Sequence, residues 1–536
     1  MSVEHVQART GGYADSVTLM AVSARAQAVD GVQTALVAMA TQLNLDLLDG
    51  LGLAAPAGAG EHDLLIAIKA ADADSLSVAL AIVDEALNAR PGGVGEHDQR
   101  SQPPRTTASA VARSGPGIAL ISVPGQYAFA EAMDALLADC DVMIFSDNVP
   151  VEQEVKLKEV AAKQGLLVMG PDCGTAIVGG VGLGFANSVR RGPVGVVAAS
   201  GTGAQQLTCL LELAGVGVSA VLGVGGRDLS AAVGGRSARA ALAALDADPA
   251  TELIVLLSKP PAVQVAAELR EFAAGLSAPV QFALIGPGQP DLTEAAESAL
   301  RAIGVTDWPD WITQPPVAPG RTGFLRGLFA GGTLCDEAMV IAAQRLGPIY
   351  SNVPLDPAWR IDPRIPAVLF PASPPTPHAS PDTPHASPDT PYASPDTPYA
   401  SPDTPHARAG RHVMIDFGED ELTAGRPHPM IDQRLRLDRL AAEAADPATA
   451  VIMLDVVLGY GAHPDPADEL ADAITDAKAD RPELEVVVSL IGTPTDPQGL
   501  VEQAAKLASA GAHVFASNAT AARFASGLIT SGNGGN

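Results

Sequence analysis

The residues best suited to chemistry form a glycine-rich segment near the middle of the chain. Residues 195–206 read Gly-Val-Val-Ala-Ala-Ser-Gly-Thr-Gly-Ala-Gln-Gln, which predicts a buried strand that breaks into a turn and opens a helix. Such a turn directs free backbone amides at one point, which suits a phosphate or a carboxylate. Ser200, Gly201, Thr202 and Gly203 are therefore candidate anion-binding residues, or else an ordinary N-cap. The Lys of a Walker P-loop does not follow them.

Two further glycine-rich segments follow predicted strands, at the edge where open α/β sheets bind ligands. Residues 169–174 contain Gly170, Pro171, Asp172 and Cys173, and residues 223–230 contain Gly225, Gly226 and Arg227. The arginine could bind an anion at the Ser200 turn, or form a surface ion pair with an acid such as Asp228. The cysteine is either reactive or a packed small residue.

Two histidines lie in motif-like loops, each followed by a proline that favours extended or turn backbone. His428 belongs to Gly-Arg-Pro-His-Pro-Met-Ile-Asp at 425–432, and His463 follows the apolar strand predicted at 451–458. A neutral imidazole there can act as base or nucleophile near pH 7, whereas the alternative is a loop histidine bonded to backbone. Arg426 is either a carboxylate clamp or part of an ion pair.

The composition limits the partners. A formal charge of −28 over 536 residues disfavours nucleic acid and anionic membranes, so an anionic ligand needs local amides or arginines. Four dispersed cysteines without a CxxC pair predict reduced thiols, and metal-site spacing is absent. Without a membrane-spanning run or a signal peptide, we expect a cytoplasmic protein.

The elements that position these residues predict an α/β protein with two or more parallel-sheet (Rossmann- or flavodoxin-like) domains and a small N-terminal α+β domain. Residues 1–90 predict the α+β domain, of ferredoxin-like type, with strands at 16–22 and 63–69 and helices at 30–39 and 74–87. Residues 91–115 and 308–321 predict linkers.

Alternating apolar runs predict parallel sheets in residues 116–192, in 193–307, and in 322–370 together with 408–536. Predicted strands lie at 118–123, 142–146, 166–169, 194–198, 219–224, 253–257, 280–285, 450–456, 484–490 and 513–516. Predicted helices lie at 128–138, 151–163, 466–477 and 497–508.

Residues 371–407 contain a low-complexity repeat. Four copies of [His/Tyr]-Ala-Ser-Pro-Asp-Thr-Pro run from 378 to 405, and two prolines per copy oppose both helix and sheet. We expect a disordered, extended spacer.

The motifs together resemble the α subunit of succinyl-CoA synthetases, and more closely the FdrA family of acyl-CoA-synthetase-like proteins. The matching segments include Val-Pro at 123–124, Gly-Pro-Asp-Cys-Gly-Thr at 170–175, Ser-Gly-Thr at 200–202, Gly-Gly-Arg-Asp-Leu-Ser at 225–230, Ser-Lys-Pro-Pro at 258–261 and Leu-Gly-Tyr-Gly-Ala-His-Pro-Asp-Pro at 458–466.

The resemblance implies a CoA-binding-like domain at 116–192, a phosphate-site domain at 193–307 and a ligase-CoA-like C-terminal domain. It places CoA or substrate at a set of loop residues, and CoA with ATP or ADP as possible cofactors. That set is Val123, Pro124, Ser146, Asp147, Asn148, Gly170, Pro171, Asp172, Cys173 and Arg426. Small anionic substrates and either partner subunits or a homo-oligomer are expected.

Two departures from the family pattern bear on mechanism. Synthetase α subunits carry a phosphorylated histidine in a loop corresponding to residues 284–288, which here read Leu-Ile-Gly-Pro-Gly. Their glycine loop for the CoA phosphates has no counterpart ahead of Ile118. Three functions stay open: an acyl-CoA synthetase of non-standard mechanism, a subunit of an oxamate carbamoyltransferase in allantoin and purine catabolism, and a non-catalytic regulatory scaffold.

Overall fold

The computed structural model describes residues 3–10, 104–309, 320–364, 411–423 and 426–529, with residues 16–88 except 42–43, 46–47, 49–50, 52, 57 and 61–62. The chain forms two compact units. The first comprises Met1–Asp172 and Asp420–His428, and the second comprises Cys173–Glu419 and Pro429–Asn536. In the described part of the chain, no helix is both long and apolar enough to span a membrane. The repeat at 378–405 lies outside the described residues.

The first unit begins with a three-stranded antiparallel sheet in the order β1-β3-β2. Its βαββα sequence follows the first five elements of a ferredoxin-like βαββαβ fold. These elements are β1 (Val3–Arg9), α1 (Ser16–Gln27), β2 (Val32–Met39), β3 (Leu64–Ala70) and α2 (Ala73–Asn88).

Two of the N-terminal predictions are wrong. Residues 16–22, predicted as a strand, begin α1, and residues 30–39, predicted as a helix, contain β2. Leu19, Val22 and Ala26 are buried at helical spacing, while β2 pairs with β3 along its length. Short apolar runs fit both periods, and strand pairing decides between them.

The predicted linker at 91–115 contains a further helix, α3 (Thr107–Ser114), where it is described. The Thr106 hydroxyl accepts the amide of Ser109, and the Ser109 hydroxyl accepts the amide of Thr106, which forms a capping box. The predicted linker therefore carries a helix in this segment.

A parallel three-stranded sheet, in the order β4-β5-β6, completes the first unit. All three strands and both helices match the predicted segments to within a few residues. They are β4 (Ile118–Ile121), α4 (Gly125–Leu137), β5 (Asp141–Ile144), α5 (Val151–Gln164) and β6 (Val168–Met169).

The second unit opens with a six-stranded sheet in the order β12-β11-β9-β10-β7-β8. The β7–β8 hairpin pairs antiparallel with β10, so residues after Asp172 join this sheet rather than the one predicted for 116–192. Strands β9 to β12 are parallel, and the chain order reverses between β9 and β11, which is where such sheets bind ligands. The elements are β7 (Thr175–Val178), β8 (Val181–Gly184), β9 (Arg191–Ala198), α6 (Gly201–Leu213), β10 (Val218–Gly223), α7 (Arg236–Asp246), β11 (Leu253–Ser258), α8 (Val263–Ala273), β12 (Val280–Leu284) and α9 (Leu292–Ala302).

The C-terminal sheet is parallel throughout, in the order β14-β15-β13-β16-β17-β18. Without the edge strand β14 this is the predicted flavodoxin-like order, and its reversal lies between β13 and β16. The elements are β13 (Phe324–Phe329), α10 (Gly332–Leu346), β14 (Ile349–Tyr350), β15 (His412–Asp416), α11 (Asp420–Thr423), α12 (Arg434–Ala445), β16 (Thr449–Val457), α13 (Pro466–Asp480), β17 (Glu485–Ile491), α14 (Leu500–Ser509), β18 (His513–Phe515) and α15 (Asn518–Leu528). Helix α11 belongs to the first unit.

Candidate functional site

The turn predicted to bind an anion begins α6 at the reversal point of its sheet. Ser200 is the N-cap, and its hydroxyl accepts the Gly203 amide at 3.0 Å. The amides of Gly201 and Thr202 have no hydrogen-bond acceptor among the described residues. The turn is thus an N-cap, and it still presents two unpaired donors next to solvent.

A second helix, α10, begins at the reversal point of the C-terminal sheet. Buried Asp455 on β16 accepts the Ala330 and Gly331 amides, each at 2.7 Å, and Arg436 Nη1 lies 3.4 Å from its Oδ1. Burial raises the pKa of Asp455, and Arg436 opposes the rise. Gly331 caps the helix without a side chain, so in the described chain the next three amides, at 332–334, have no acceptor.

The two helix N-termini meet. Ser200 Oγ and Thr333 Oγ1 lie 2.6 Å apart. A Cβ atom on Gly331 would lie 2.8 Å from Thr202 Oγ1, and one on Gly203 would lie 2.6 Å from Ser200 Oγ, so glycine allows this approach. We call residues 200–203 and 331–334 the paired N-terminal site. Each helix places about half a positive charge there, which favours an anion.

A buried hydroxyl faces this site without a partner. Thr175 is 4% exposed, and its Oγ1 has no hydrogen-bond partner among the described residues. It lies 3.2 Å from the point where a Cβ on Gly201 would stand. An unpaired buried hydroxyl is costly unless a ligand or water completes it, so Thr175 adds a donor or acceptor to the site.

Lys259, to which the sequence assigned no role, lies beside the same helix start. Its Nζ is 2.8 Å from Asp336 Oδ2 and 3.4 Å from the Cβ position of Gly332, while Asp416 Oδ2 is 2.5 Å from that position. Burial acts to lower the pKa of Lys259, but the charges of Asp336, Asp416 and Glu419 outweigh it and raise the pKa. Burial raises the pKa of Asp416, and Lys259 opposes the rise. The sequence pattern that could have indicated Lys259 is a cationic residue directly after a buried parallel strand, here β11.

The 225–227 segment follows β10, the strand on the other side of β9. The Val224 amide donates to Ala198 O at 2.8 Å, so this loop lies beside the Ser200 turn. Asp228 is fully buried and accepts the Ser237 and Ala238 amides at the start of α7. Gly225, Gly226 and the half-buried Arg227 follow in this loop and stay predicted ligands of the site.

Cys173 is packed. It is 2% exposed, its Sγ contacts Thr175 O at 3.6 Å, and a Cβ on Gly223 would lie 2.5 Å from the sulfur. These contacts are those of a packed small residue, the alternative to a reactive cysteine.

The predicted CoA-binding residues of the first unit meet at the carboxyl edge of β4, β5 and β6. Ser146 Oγ donates to Val123 O at 2.5 Å, and the Asp172 amide donates to Ser146 O at 3.0 Å. A Cβ on Gly125 would lie 2.2 Å from Asp147 O. The other residues of this edge are Pro124, Asn148, Gly170 and Pro171.

This edge tests the fit of CoA. The residues described immediately before β4 form α3 and contain no glycine-rich strand-to-helix loop. The first unit therefore lacks, in its described part, the phosphate cradle that the resemblance to the synthetase α subunits implies.

The two predicted catalytic histidines belong to different compact units. His428 lies with Arg426 in the 420–428 segment of the first unit, and Arg426 is exposed. His463 lies in the second unit, where its Nδ1 accepts the Asp465 amide at 3.1 Å and its own amide donates to Met430 O. In the neutral ring the hydrogen bond to Nδ1 places the proton on Nε2. None of these hydrogen bonds of His463 reaches the paired N-terminal site, and its catalytic role stays a prediction.

The described residues contain no group of three or more His, Cys, Asp or Glu able to hold a metal ion.

Comparison with known proteins gives two family matches. Residues 328–528 match the CoA-ligase family, and residues 1–103 match the heavy metal-associated domain of AllF. Residues 1–103 contain no cysteine, so this domain brings no thiolate ligand for a soft metal.

The chain is 37% identical over 534 residues to the uncharacterized protein YahF of Escherichia coli (strain K12), with 95% of both chains covered. It is 29% identical over 154 residues to the succinate–CoA ligase [ADP-forming] subunit alpha-2 of Trichomonas vaginalis, with 28% of this chain and 48% of the relative covered. A solved structure, the dinucleotide-forming acetyl-coenzyme A synthetase 1 of Ca. Korarchaeum cryptofilum with phosphate and ADP, aligns with a TM-score of 0.28 and 16% identity over 77% of this chain and 82% of that one.

The CoA-ligase family match at residues 328–528 and the observed sheets define a CoA-ligase-like α/β protein. The chain belongs to the FdrA-like family of acyl-CoA-synthetase-related proteins. It spans about half the length of the succinate–CoA ligase α subunits it matches.

Proposed function

We propose that this chain is a ligase-type enzyme that binds an acyl phosphate or carbamoyl phosphate, with the phosphoryl group at the paired N-terminal site. The observation that carries the proposal is the 2.6 Å contact between Ser200 Oγ and Thr333 Oγ1. It brings together two helix N-termini whose first amides have no acceptor among the described residues, and such amides stabilise phosphate charge.

The proposed reaction needs no phosphorylated histidine. The acceptor attacks the carbonyl carbon, the carbon–oxygen bond to phosphate breaks, and the departing phosphate takes the electron pair. The amides of α6 and α10 would stabilise the charge that grows on that phosphate, which is where electrostatic catalysis acts. His463 is the predicted carrier of the acceptor's proton.

The acceptor separates the two enzyme functions. A thiol acceptor such as CoA makes the chain an acyl-CoA synthetase, whose nucleotide site a partner subunit would supply. An oxamate acceptor makes it a carbamoyltransferase subunit, which is the second function that the resemblance to the FdrA family implies.

The test measures binding and turnover with the purified full-length chain. Phosphate release is followed with acetyl phosphate plus CoA and with carbamoyl phosphate plus oxamate, while isothermal titration calorimetry measures carbamoyl phosphate binding. We expect binding, turnover with one acceptor, and no acid-labile phosphohistidine after incubation with ATP or with acyl-CoA and phosphate. Phosphate on His428 or His463 would contradict the mechanism, and a chain that binds neither compound would favour the scaffold.

A Gly201→Val variant ties the activity to the site. The new side chain would crowd Thr175 Oγ1, only 3.2 Å from the Cβ position, and block the ligand. Gly527→Val is the matched control, because a Cβ there meets nothing within 4 Å. Binding should be lost in the first variant and kept in the second.

A further inference from the structure

The side chain of Lys259 lies where a ligand at the paired N-terminal site would need a cation. We propose that the Lys259 ammonium binds the phosphoryl group of the ligand, and that Asp336 holds this ammonium when the ligand is absent. The proposal rests on the proposed function and adds the charged group of the same site.

The position of Lys259 follows from the sheet. It comes directly after β11, the strand that pairs with β9, and the Ala199 amide donates to Leu257 O at 2.9 Å. Lys259 therefore follows β11 beside the Ser200 turn. Its Nζ stands 3.4 Å from the Cβ position of Gly332, the first residue of α10, whose amide has no acceptor in the described chain.

The surrounding charges explain why a cation is needed. Asp336, Asp416 and Glu419 act electrostatically on Lys259, and an incoming phosphate would meet the same carboxylates. Two helix N-termini supply about one positive charge in total, whereas a phosphate monoester carries nearly two negative charges at pH 7. One ammonium compensates much of the difference.

An independent feature indicates that a ligand belongs here. Thr175 is only 4% exposed, and its hydroxyl has no partner among the described residues and faces Gly201, the first residue of α6. A bound phosphoryl oxygen would give this hydroxyl an acceptor.

The competition between Asp336 and the ligand gives opposite predictions for the two partners. Removing the cation should weaken binding, because a charge-assisted hydrogen bond is lost. Removing the aspartate's charge should strengthen binding, because Lys259 is released and a repulsive charge disappears. A purely structural ion pair gives no reason for opposite signs.

The experiment titrates inorganic phosphate and carbamoyl phosphate into the full chain by calorimetry. We expect Lys259→Gln to raise the Kd by about ten- to a hundredfold, and Asp336→Asn to lower it by about three- to tenfold. Lys69 and Glu4 form a matched pair at 2.7 Å in the N-terminal sheet, so Lys69→Gln and Glu4→Gln should leave the Kd unchanged.

The outcomes separate this inference from the proposed function. If wild type binds and Gly201→Val does not, but Lys259→Gln keeps the wild-type Kd, the anion site stands and the role of Lys259 is wrong. A higher Kd for Asp336→Asn than for wild type would also overturn the role of Lys259. If wild type binds neither compound, the proposed function itself fails. Should Lys259→Gln not fold, Lys259→Arg keeps the charge and should bind within a few-fold of wild type, and a complete loss there would contradict the proposal.

Discussion

Ser200 and Thr333 begin helices that belong to two different sheets, and their side-chain oxygens lie 2.6 Å apart. The contact joins the carboxyl edges of the two sheets at their reversal points. Both side chains lie at the site that the ligand is proposed to occupy. Their removal should therefore lower both the free energy of unfolding and the affinity for the ligand.

A double-mutant cycle tests this coupling. Ser200→Ala should lower the free energy of unfolding by about 1 kcal/mol, since it also removes the N-cap of α6. The coupling energy between Ser200→Ala and Thr333→Val should be about 0.5–1.5 kcal/mol. Denaturant unfolding measures both. The control is the cycle of Thr293 and Ser517, whose hydroxyls are also 2.6 Å apart and whose serine caps α15. Both cycles should show coupling, and only the first should weaken carbamoyl phosphate binding.

Thr175→Val should separate stability from binding. Replacing an unpaired buried hydroxyl by a methyl group should leave stability unchanged or raise it by about 1 kcal/mol, while phosphate affinity falls about fivefold for want of one hydrogen bond. Thr449→Val is the matched control, because the Thr449 hydroxyl is also buried without a partner among the described residues. Thermal unfolding and calorimetry report the two effects. A large loss of stability in Thr175→Val would show that its hydroxyl is paired.

Glu337 should make the stability depend on pH. Glu337 is buried, and its carboxylate accepts hydrogen bonds from the Leu292 amide and the Asn518 side chain, each at 2.7 Å. Burial and the charge of Asp291 raise its pKa to about 7, although Asn518, Leu292 and Arg523 act to lower it. Because the folded pKa exceeds the ordinary 4.5, its stabilising effect is complete below pH 4.5 and is lost as the pH rises through 7.

The measurement compares Glu337→Gln with wild type by denaturant unfolding from pH 4.5 to 8. Wild type should lose up to about 3 kcal/mol relative to the variant over this range. Glu271→Gln, which alters an exposed carboxylate on α8, is the control and should track wild type. A constant difference between Glu337→Gln and wild type across the range would show that Glu337 keeps its ordinary pKa.

Deleting the repeat at residues 378–405 should leave thermal stability and turnover unchanged. The segment has no apolar stripe to bury, and its prolines oppose both helix and sheet. A variant with a Gly/Ser segment of equal length controls for the change in chain length. A marked loss of either property in both variants would mean that the repeat packs against or binds something essential.

The sequence predicted most strands of the parallel sheets, because strands covered on both faces are nearly continuous apolar runs. The predictions for α1 and β2 were wrong, because short apolar runs fit both the helical and the strand periodicity. Pairing with β3 determines that β2 is a strand. Half of the site was predictable in the same way. Ser200 follows a recognisable strand and glycine turn, whereas Thr333 and Lys259 come from segments whose meeting depends on how the sheets pack.

Both halves of the paired N-terminal site are carried by one polypeptide. Dilution should therefore leave the specific activity per chain constant. Mixing a chain inactivated at Ser200 with one inactivated at Thr333 should restore nothing, since neither molecule contains an intact site. Complementation would require the α6 N-terminus of one chain to pair with the α10 N-terminus of another. The 2.6 Å contact pairs these two helices within a single chain instead.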